Sequence, residues 1–219
     1  MSTAARYIYG IGGVAREIAD IFTRMNQNIA GFVVDSEYLS GSPKEILNVP
    51  VLSFDEYAEI SSRSRTSITV SLGEPLHRKR LSEKLAALNL TESTIFLGDY
   101  LASDSSVGDG TILHAGSVVS SRCSIGKSCL INKKAMIEHD NSVGDYCVFC
   151  PYAVTGGHVS VGNGCFVGLG ACIRDRVKIG HDVIIGMGAV VTHDIEDSVI
   201  VYGNPARVIR PNLTHKVFR

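Results

Sequence analysis

The sequence of 219 residues predicts an α/β domain followed by an all-β parallel coil of triangular section. Three observations predict it. Strand-like and helix-like stretches alternate through residues 6–97. From Leu101 to Val191 an aliphatic residue returns at every sixth position, through Val107, Leu113, Val119 and onward, and only Thr155 breaks the apolar run. The place after that aliphatic is often Gly, as at Gly108, Gly126, Gly144 and Gly162, and the fifth place is mostly small, as at Ser117, Cys129, Ala135 and Ala153.

In the first part, residues 6–9 read as a strand ending at Gly10. A helix pattern follows over 14–25, with Ile18, Ile21 and Phe22 on one face. Residues 29–34 read as a second strand ending at Asp35, 36–48 as loop, 49–53 as a strand and 54–60 as a short helix. Residues 66–72 are apolar and β-branched, hence a strand. Residues 75–88 read as a helix with Pro75 in its first turn, where a missing N–H costs nothing. Residues 93–97 are expected as a last strand. Alternation of this kind argues a small parallel sheet covered by helices.

A six-residue period fits neither a helix nor a lone strand. It fits a short flat side followed by a turn. The aliphatic points inward, the small residue packs beside it, and Gly is expected to supply positive φ at the corner. Three sides make a coil of eighteen residues, and coils stack about 4.8 Å apart. No single repeat buries its own core, so the stack is the cooperative unit. A β-sandwich is the alternative, and its period of 2 counts against it.

The formal net charge of −1 gives no electrostatic footprint for nucleic acid or a membrane surface. No apolar run suits a bilayer span, and the N-terminus lacks a signal-peptide layout. The expectation is a soluble cytoplasmic protein. The six cysteines lie in the repeats without a CxxC pair; Cys123, Cys129, Cys147 and Cys165 read as small core residues.

Gly10-Ile11-Gly12-Gly13-Val14-Ala15 fits G-x-G-x-x-A between strand and helix, with Asp35 ending the next strand. Such a turn aims backbone N–H groups at a phosphate, and the acid suits a ribose hydroxyl. The alternative is a tight turn that binds nothing. Ser71-Leu72-Gly73-Glu74-Pro75 makes a second strand-to-helix turn ahead of Arg78, Lys79 and Arg80. Gly73 and Glu74 lie at the expected crevice. Arg78 either grips a phosphate bidentately or belongs with Lys79 and Arg80 on a solvated face.

The order of these two parts, with YIYGIGG, the Asp35 strand end, SLGEPLHRKR, INKKAMIEHD and VYGNPARVIR, resembles the PglD/NeuD family of hexapeptide-repeat sugar acyltransferases. The resemblance covers essentially the whole chain. It implies a Rossmann-like sugar-nucleotide-binding domain over 1–97 and a left-handed parallel β-helix acetyltransferase domain over 98–219. The implied reaction is acetyl-CoA-dependent N-acetylation of a nucleotide-linked amino sugar, a 4-amino-4,6-dideoxyhexose first, in polysaccharide biosynthesis. O-acetylation of a sialic acid or another sugar is the runner-up. A homotrimer with sites in grooves between chains is implied, with no metal.

His139 stands at an outward corner of its six, with Asp140 and Glu138 beside it. An imidazole near neutrality suits a base for a proton shed by an attacking amine. The family makes this His the general base and its acidic neighbour the support, hence His139 and Asp140, and makes Asn132 a contact for the acceptor. Eighteen residues beyond His139 is Gly157, expected over it with room for the thioester arm. Gly157, His158, Gly188, Ala206 and Arg207 are the implied contacts to acetyl-CoA. Two departures stand out. Lys133 and Lys134 replace small residues, and Val148 occupies the place of a second family His. Asn141, polar in the inward column, needs buried partners. A zinc lyase on the same coil would need three converging histidines. An NAD(P)-binding protein would rest on Gly10 to Ala15.

Overall fold

A computed structural model describes residues 4–217; the extreme N-terminus and the last two residues of the expected tail lie outside the described residues. The chain forms two compact units, one of residues up to 73 with 80–93, the other of 74–79 with everything from 94 on.

In the first unit, β1 (Ala5–Tyr9), β2 (Gly31–Val34), β3 (Glu45–Ile46), β4 (Val49–Ser53) and β5 (Thr66–Val70) form one sheet in the order β3-β4-β2-β1-β5. All pairs are parallel except β3 with β4, so the expected parallel sheet carries an antiparallel edge. The stretch 36–48, expected as loop, holds α2 (Ser36–Leu39) and β3. The helix α1 (Gly13–Arg24) buries Ala15, Ile18, Ala19 and Phe22, a stripe at helical spacing. The helix α3 (Phe54–Arg63) starts at a capping box in which Ser53 and Glu56 satisfy each other's backbone N–H. The helix α4 (Pro75–Ala87) follows β5.

The expected last strand of this sheet is not there. Residues 91–93 make a single bridge with Ile68, and Ile95–Phe96 pairs instead with Ile112–Leu113 of the coil. An apolar pair enters whichever ladder offers free backbone groups, and the coil's first rung offers them.

The second unit is a parallel β-helix of three faces. The first runs from Tyr100–Leu101 to Val190–Val191, the second from Ser106–Val107 to Lys178–Ile179, and the third from Ile95–Phe96 to Ile184–Ile185. Within the repeat each rung lies eighteen residues from the next, as Val118↔Met136, Ser124↔Ser142 and Leu130↔Val148 show, while the end rungs step by seventeen at Ile95↔Ile112 and sixteen at Ile184↔Ile200. The aliphatic column fills the interior with Val119, Ile137, Phe149, Val167 and Ile185, all fully buried. At the far end, Val199–Tyr202 extends the third face in parallel and Arg207–Pro211 folds back antiparallel onto it, covering the open edge.

The glycine expectation is corrected. Glycines directly after the aliphatic do not carry positive φ. They allow close stacking of corners: a Cβ on Gly126 would lie 2.6 Å from the carbonyl carbon of Gly144, and one on Gly162 2.7 Å from that of Gly180. Positive φ falls two places later, at Gly110, Arg122, Lys134, Asp140, His158, Gly170 and Arg176 among others. A non-Gly residue there costs about 1–2 kcal/mol, offset by the ladder that the turn completes.

Candidate active site

The carboxyl ends of β2, β1 and β5 bring Gly10, Asp35 and Gly73 to one edge of the sheet. Gly10 has φ +103°, and a Cβ there would meet the Ser71 hydroxyl at 2.9 Å. Glycine is therefore required twice over, by conformation and by space. Gly12 caps α1 and Gly13 opens it, both exposed and with nothing within 4 Å of an added Cβ. That is open ground over a helix N-terminus. Asp35 caps α2 and lies 3.3 Å from Lys84 Nζ, whose charge sits 3.6 Å from the Phe54 ring centroid. Burial, and then a hydrogen bond to Asp35, push the Tyr9 phenol far above its ordinary value.

Two expectations at the second turn are corrected. Arg78 is fully buried. Its Nε donates to the Ser128 carbonyl at 2.6 Å and its Nη2 to that of Cys129 at 3.1 Å. The guanidinium is spent on carbonyls of the coil rather than reaching a phosphate, and the Cys129 carbonyl accepts from the Ile112 N–H as well. Glu74 is 5% exposed, and its Oε1 accepts from the Val217 N–H at 2.9 Å. Both belong to the scaffold of the second unit.

The corner between the first and second faces holds the His139–Asp140 pair. Rungs stack there at 102–105, 120–123, 138–141, 156–159 and 174–177. His139 is half-exposed, and its Nδ1 lies 2.7 Å from Asp140 Oδ2. An ionised Asp140 accepts from that nitrogen, so in the neutral ring the proton sits on Nδ1 and Nε2 keeps its lone pair. Arg122, one coil below, grips the same carboxylate as a fork, Nε to Oδ1 at 2.6 Å and Nη2 to Oδ2 at 2.8 Å. Hydrogen bonds from Arg122 and then His139 hold the Asp140 carboxyl well below the usual carboxylate range. His158, one coil above, places Nε2 3.6 Å from Asp140 Oδ2, with its ring edge-on to His139 at 5.4 Å between centroids.

Gly157 lies over His139 as the eighteen-residue step requires. The room it leaves is filled by the imidazole: an added Cβ would be 2.5 Å from His139 Cε1. Behind the corner, the two polar intruders of the inward columns pair with each other. Asn141 Nδ2 donates to Thr155 Oγ1 and, at 3.0 Å, to the Gly156 carbonyl, and Asn141 Oδ1 accepts from the Val159 N–H. Thr155 Oγ1 also accepts from the Glu138 N–H at 3.1 Å. Both are buried, and together they brace 138 and 156, on either side of His139 and Gly157.

The remaining candidates lie elsewhere on the coil. Asn132 is buried at the corner before the first face, its Oδ1 accepting from the Lys133 N–H at 2.8 Å, a whole side of the prism from His139. Gly188, with φ +65° and open space around it, stands on that other corner too. Ala206 and Arg207 line a cleft of about 350 Å³ with Thr192, His193 and Asp194. His193 is three coils above His139 on the same corner. Val148 is buried on the third face. Donor atoms of His139, Asp140 and His158 lie within 4.8 Å of one another, a set able to ligate a metal except that Arg122 already occupies the carboxylate.

The sequence reading missed Arg122 and Asp104. Subtracting eighteen from Asp140 reaches Arg122, and again Asp104, whose oxygens accept from the Ser121 hydroxyl at 2.7 Å and the Arg122 N–H at 3.2 Å.

Residues 7–85 match the family model of the PglD N-terminal domain. No curated protein sequence matches the chain. Among solved structures, PerB from Caulobacter crescentus in complex with CoA and GDP-perosamine is similar, with a TM-score of 0.85 and 27% identity over 94% of this chain and 98% of PerB. WeeI from Acinetobacter baumannii reaches 0.78 with 26% identity over 94% of this chain and all of its own. The acetyltransferase domain of PglB from Neisseria gonorrhoeae in complex with acetyl coenzyme A shares the fold, at 0.85 and 24% identity over 95% of this chain and 100% of that domain.

Proposed function

From a chain whose residues 7–85 form a PglD N-terminal domain, joined to a β-helix with a paired imidazole and carboxylate on one corner, we infer an acyltransferase. It moves an acetyl group from acetyl-CoA to the amine of a nucleotide-linked sugar, a 4-amino-4,6-dideoxyhexose first. The observation that carries this reading is the His139–Asp140 pair, 2.7 Å apart, on a half-exposed surface corner. PerB, which resembles the chain along nearly its full length, was crystallised with CoA and GDP-perosamine.

The amine attacks the thioester carbonyl. His139 Nε2 takes the proton the amine sheds, a contribution of about 10²–10⁴-fold. Asp140, kept ionised by Arg122, steadies the imidazolium. Collapse of the tetrahedral adduct breaks the C–S bond, and the thiolate leaves and is protonated. With Val148 unable to donate, backbone N–H groups of the corner are left to hold the oxyanion. The CoA arm runs up this corner past Gly157 and His158 toward the cleft at Ala206 and Arg207, about 14 Å above at three coil spacings. Gly188 and Asn132, on the other corner, serve from a neighbouring chain.

The homotrimer this requires is supported by the outward residues of the first face, Tyr100, Val118, Met136, Val154 and Val190, which are apolar and partly exposed. The second face shows Ser106, Ser124, Ser142 and Ser160 instead. Residues 1–97 bind the sugar nucleotide through Gly10, Gly12, Gly13, Asp35 and Gly73, and 98–219 carry the transfer. Among the described residues no helix is long and apolar enough to cross a membrane, and a cytoplasmic role in polysaccharide biosynthesis is part of the proposal.

The test is thiol release from acetyl-CoA against a panel of nucleotide-linked amino sugars. Acetylation of one amine supports the reading. Failure on every amine with transfer to a hydroxyl replaces it with sugar O-acetylation.

A further inference from the structure

At steps of eighteen this corner repeats an ionisable side chain: Asp104, Arg122, Asp140, His158 and Arg176. Arg122, Asp140, His158 and Arg176 hold φ between 55° and 61°, so their side chains leave the corner in the same direction. The signs alternate at Asp104, Arg122 and Asp140, and the contacts are direct. Asp104 accepts from the backbone of Arg122, and Arg122 forks onto Asp140. Asp140 is the better covered partner, with 18% of its side chain exposed against 65% for Arg122.

A carboxylate on a two-bond side chain turns freely unless both oxygens are held. Here Oδ2 receives His139 Nδ1 and one arm of the fork, and Oδ1 receives the other arm. A bidentate guanidinium fixes the carboxylate plane in a way a point charge does not. The carboxylate plane in turn fixes which nitrogen of His139 carries the proton. We propose that Arg122 is a positioning residue of acetyl transfer, locking Asp140 so that His139 presents an unprotonated Nε2 to the acceptor amine. The proposal rests on the acetyltransferase reading and deepens it.

The experiment compares wild type with Arg122→Gln and Arg122→Lys. Two quantities are read on each: kcat and KM for both substrates, and the tautomer of His139 from the ¹⁵N shifts of its ring, assigned by their loss in His139→Asn. Arg122→Gln is expected to lower kcat about 10- to 100-fold, the scale of a small misplacement, with both KM values within about threefold, and to mix the His139 tautomers. Arg122→Lys keeps the charge but loses the fork and recovers only part of each. Wild-type tautomer shifts in Arg122→Gln would overturn the proposal, whatever kcat does. So would a mixed tautomer with kcat within twofold of wild type. A wild-type enzyme that acetylates no acceptor would sink the reaction assignment instead, and the tautomer measurement would still judge the role of Arg122 in holding the ring.

Discussion

His139 is defined by its neighbours one coil away on each side. Below it in the stack, Arg122 aims the Asp140 carboxylate at its Nδ1; above it, Gly157 provides the hollow for its ring. His139→Ala is expected to lower kcat by about 10²–10⁴-fold with an unchanged melting profile, because the ring is half-exposed and packs into no core. Near-normal turnover would remove it as the base. Gly157→Ala tests the hollow. Its methyl would lie 2.5 Å from His139 Cε1 and must push the ring aside. An exposed ring moves cheaply, so the melting temperature should fall by only a few degrees while kcat drops at least tenfold. Wild-type activity in that variant would show that the ring's seat does not matter. The pairing of His139 with a carboxylate was legible from its corner place in the six and the adjoining Asp140. The fork that holds it was not, because Arg122 and Asp140 are far apart in sequence and meet only through the coil register.

At the scale of the element, corner glycines such as Gly108, Gly126 and Gly162 are set by the glycine one coil above. The sequence shows the column but not its cause. Positive φ was the natural expectation for a corner, yet the structure puts it two places later and spends the first place on close approach. Gly126→Ala puts a methyl 2.6 Å from the Gly144 carbonyl carbon and 2.7 Å from the Asp145 nitrogen. Backbone atoms on both counts cannot swing away, so a loss of about 1–3 kcal/mol is expected by denaturant unfolding. A loss below about 0.5 kcal/mol would mean that the stacked corners tolerate slack. In α4 the basic run resolves into different fates. Arg78 is buried on the carbonyls of Ser128 and Cys129. Arg78→Ala leaves the Ser128 carbonyl short, at about 1–3 kcal/mol, besides the cavity, while the Cys129 carbonyl keeps the Ile112 N–H. An unchanged unfolding midpoint would return Arg78 to the role of a ligand contact. No periodicity reveals such a destination, since a buried arginine and a solvated one look alike along a helix.

At the scale of the whole molecule, acid should act on it late. Asp140 and Asp104 in the coil and Glu56 in the capping box all have depressed values, from Arg122, the Ser121 hydroxyl and the Ser53 backbone respectively. A depressed carboxylate adds stability that is fully present above its unfolded value, near about 4, and is lost as pH falls through its folded value. Melting temperatures between pH 7 and pH 2 should therefore hold down to about pH 5 and fall below about pH 4. A fall already between pH 7 and pH 5 would assign the acid sensitivity to histidines. The sequence by itself determined the strand–helix alternation, the eighteen-residue coil and the placing of His139 beside Asp140. Those follow from periodicity and adjacency, which are local and repeat. Tertiary structure alone decided that Ile95–Phe96 joins the coil, that Asn141 and Thr155 satisfy each other inside it, and that Arg122 takes the Asp140 carboxylate while Arg78 is buried. Each of these is a contest for a hydrogen-bond partner, and it is settled by which unpaired group the fold brings within about 3 Å.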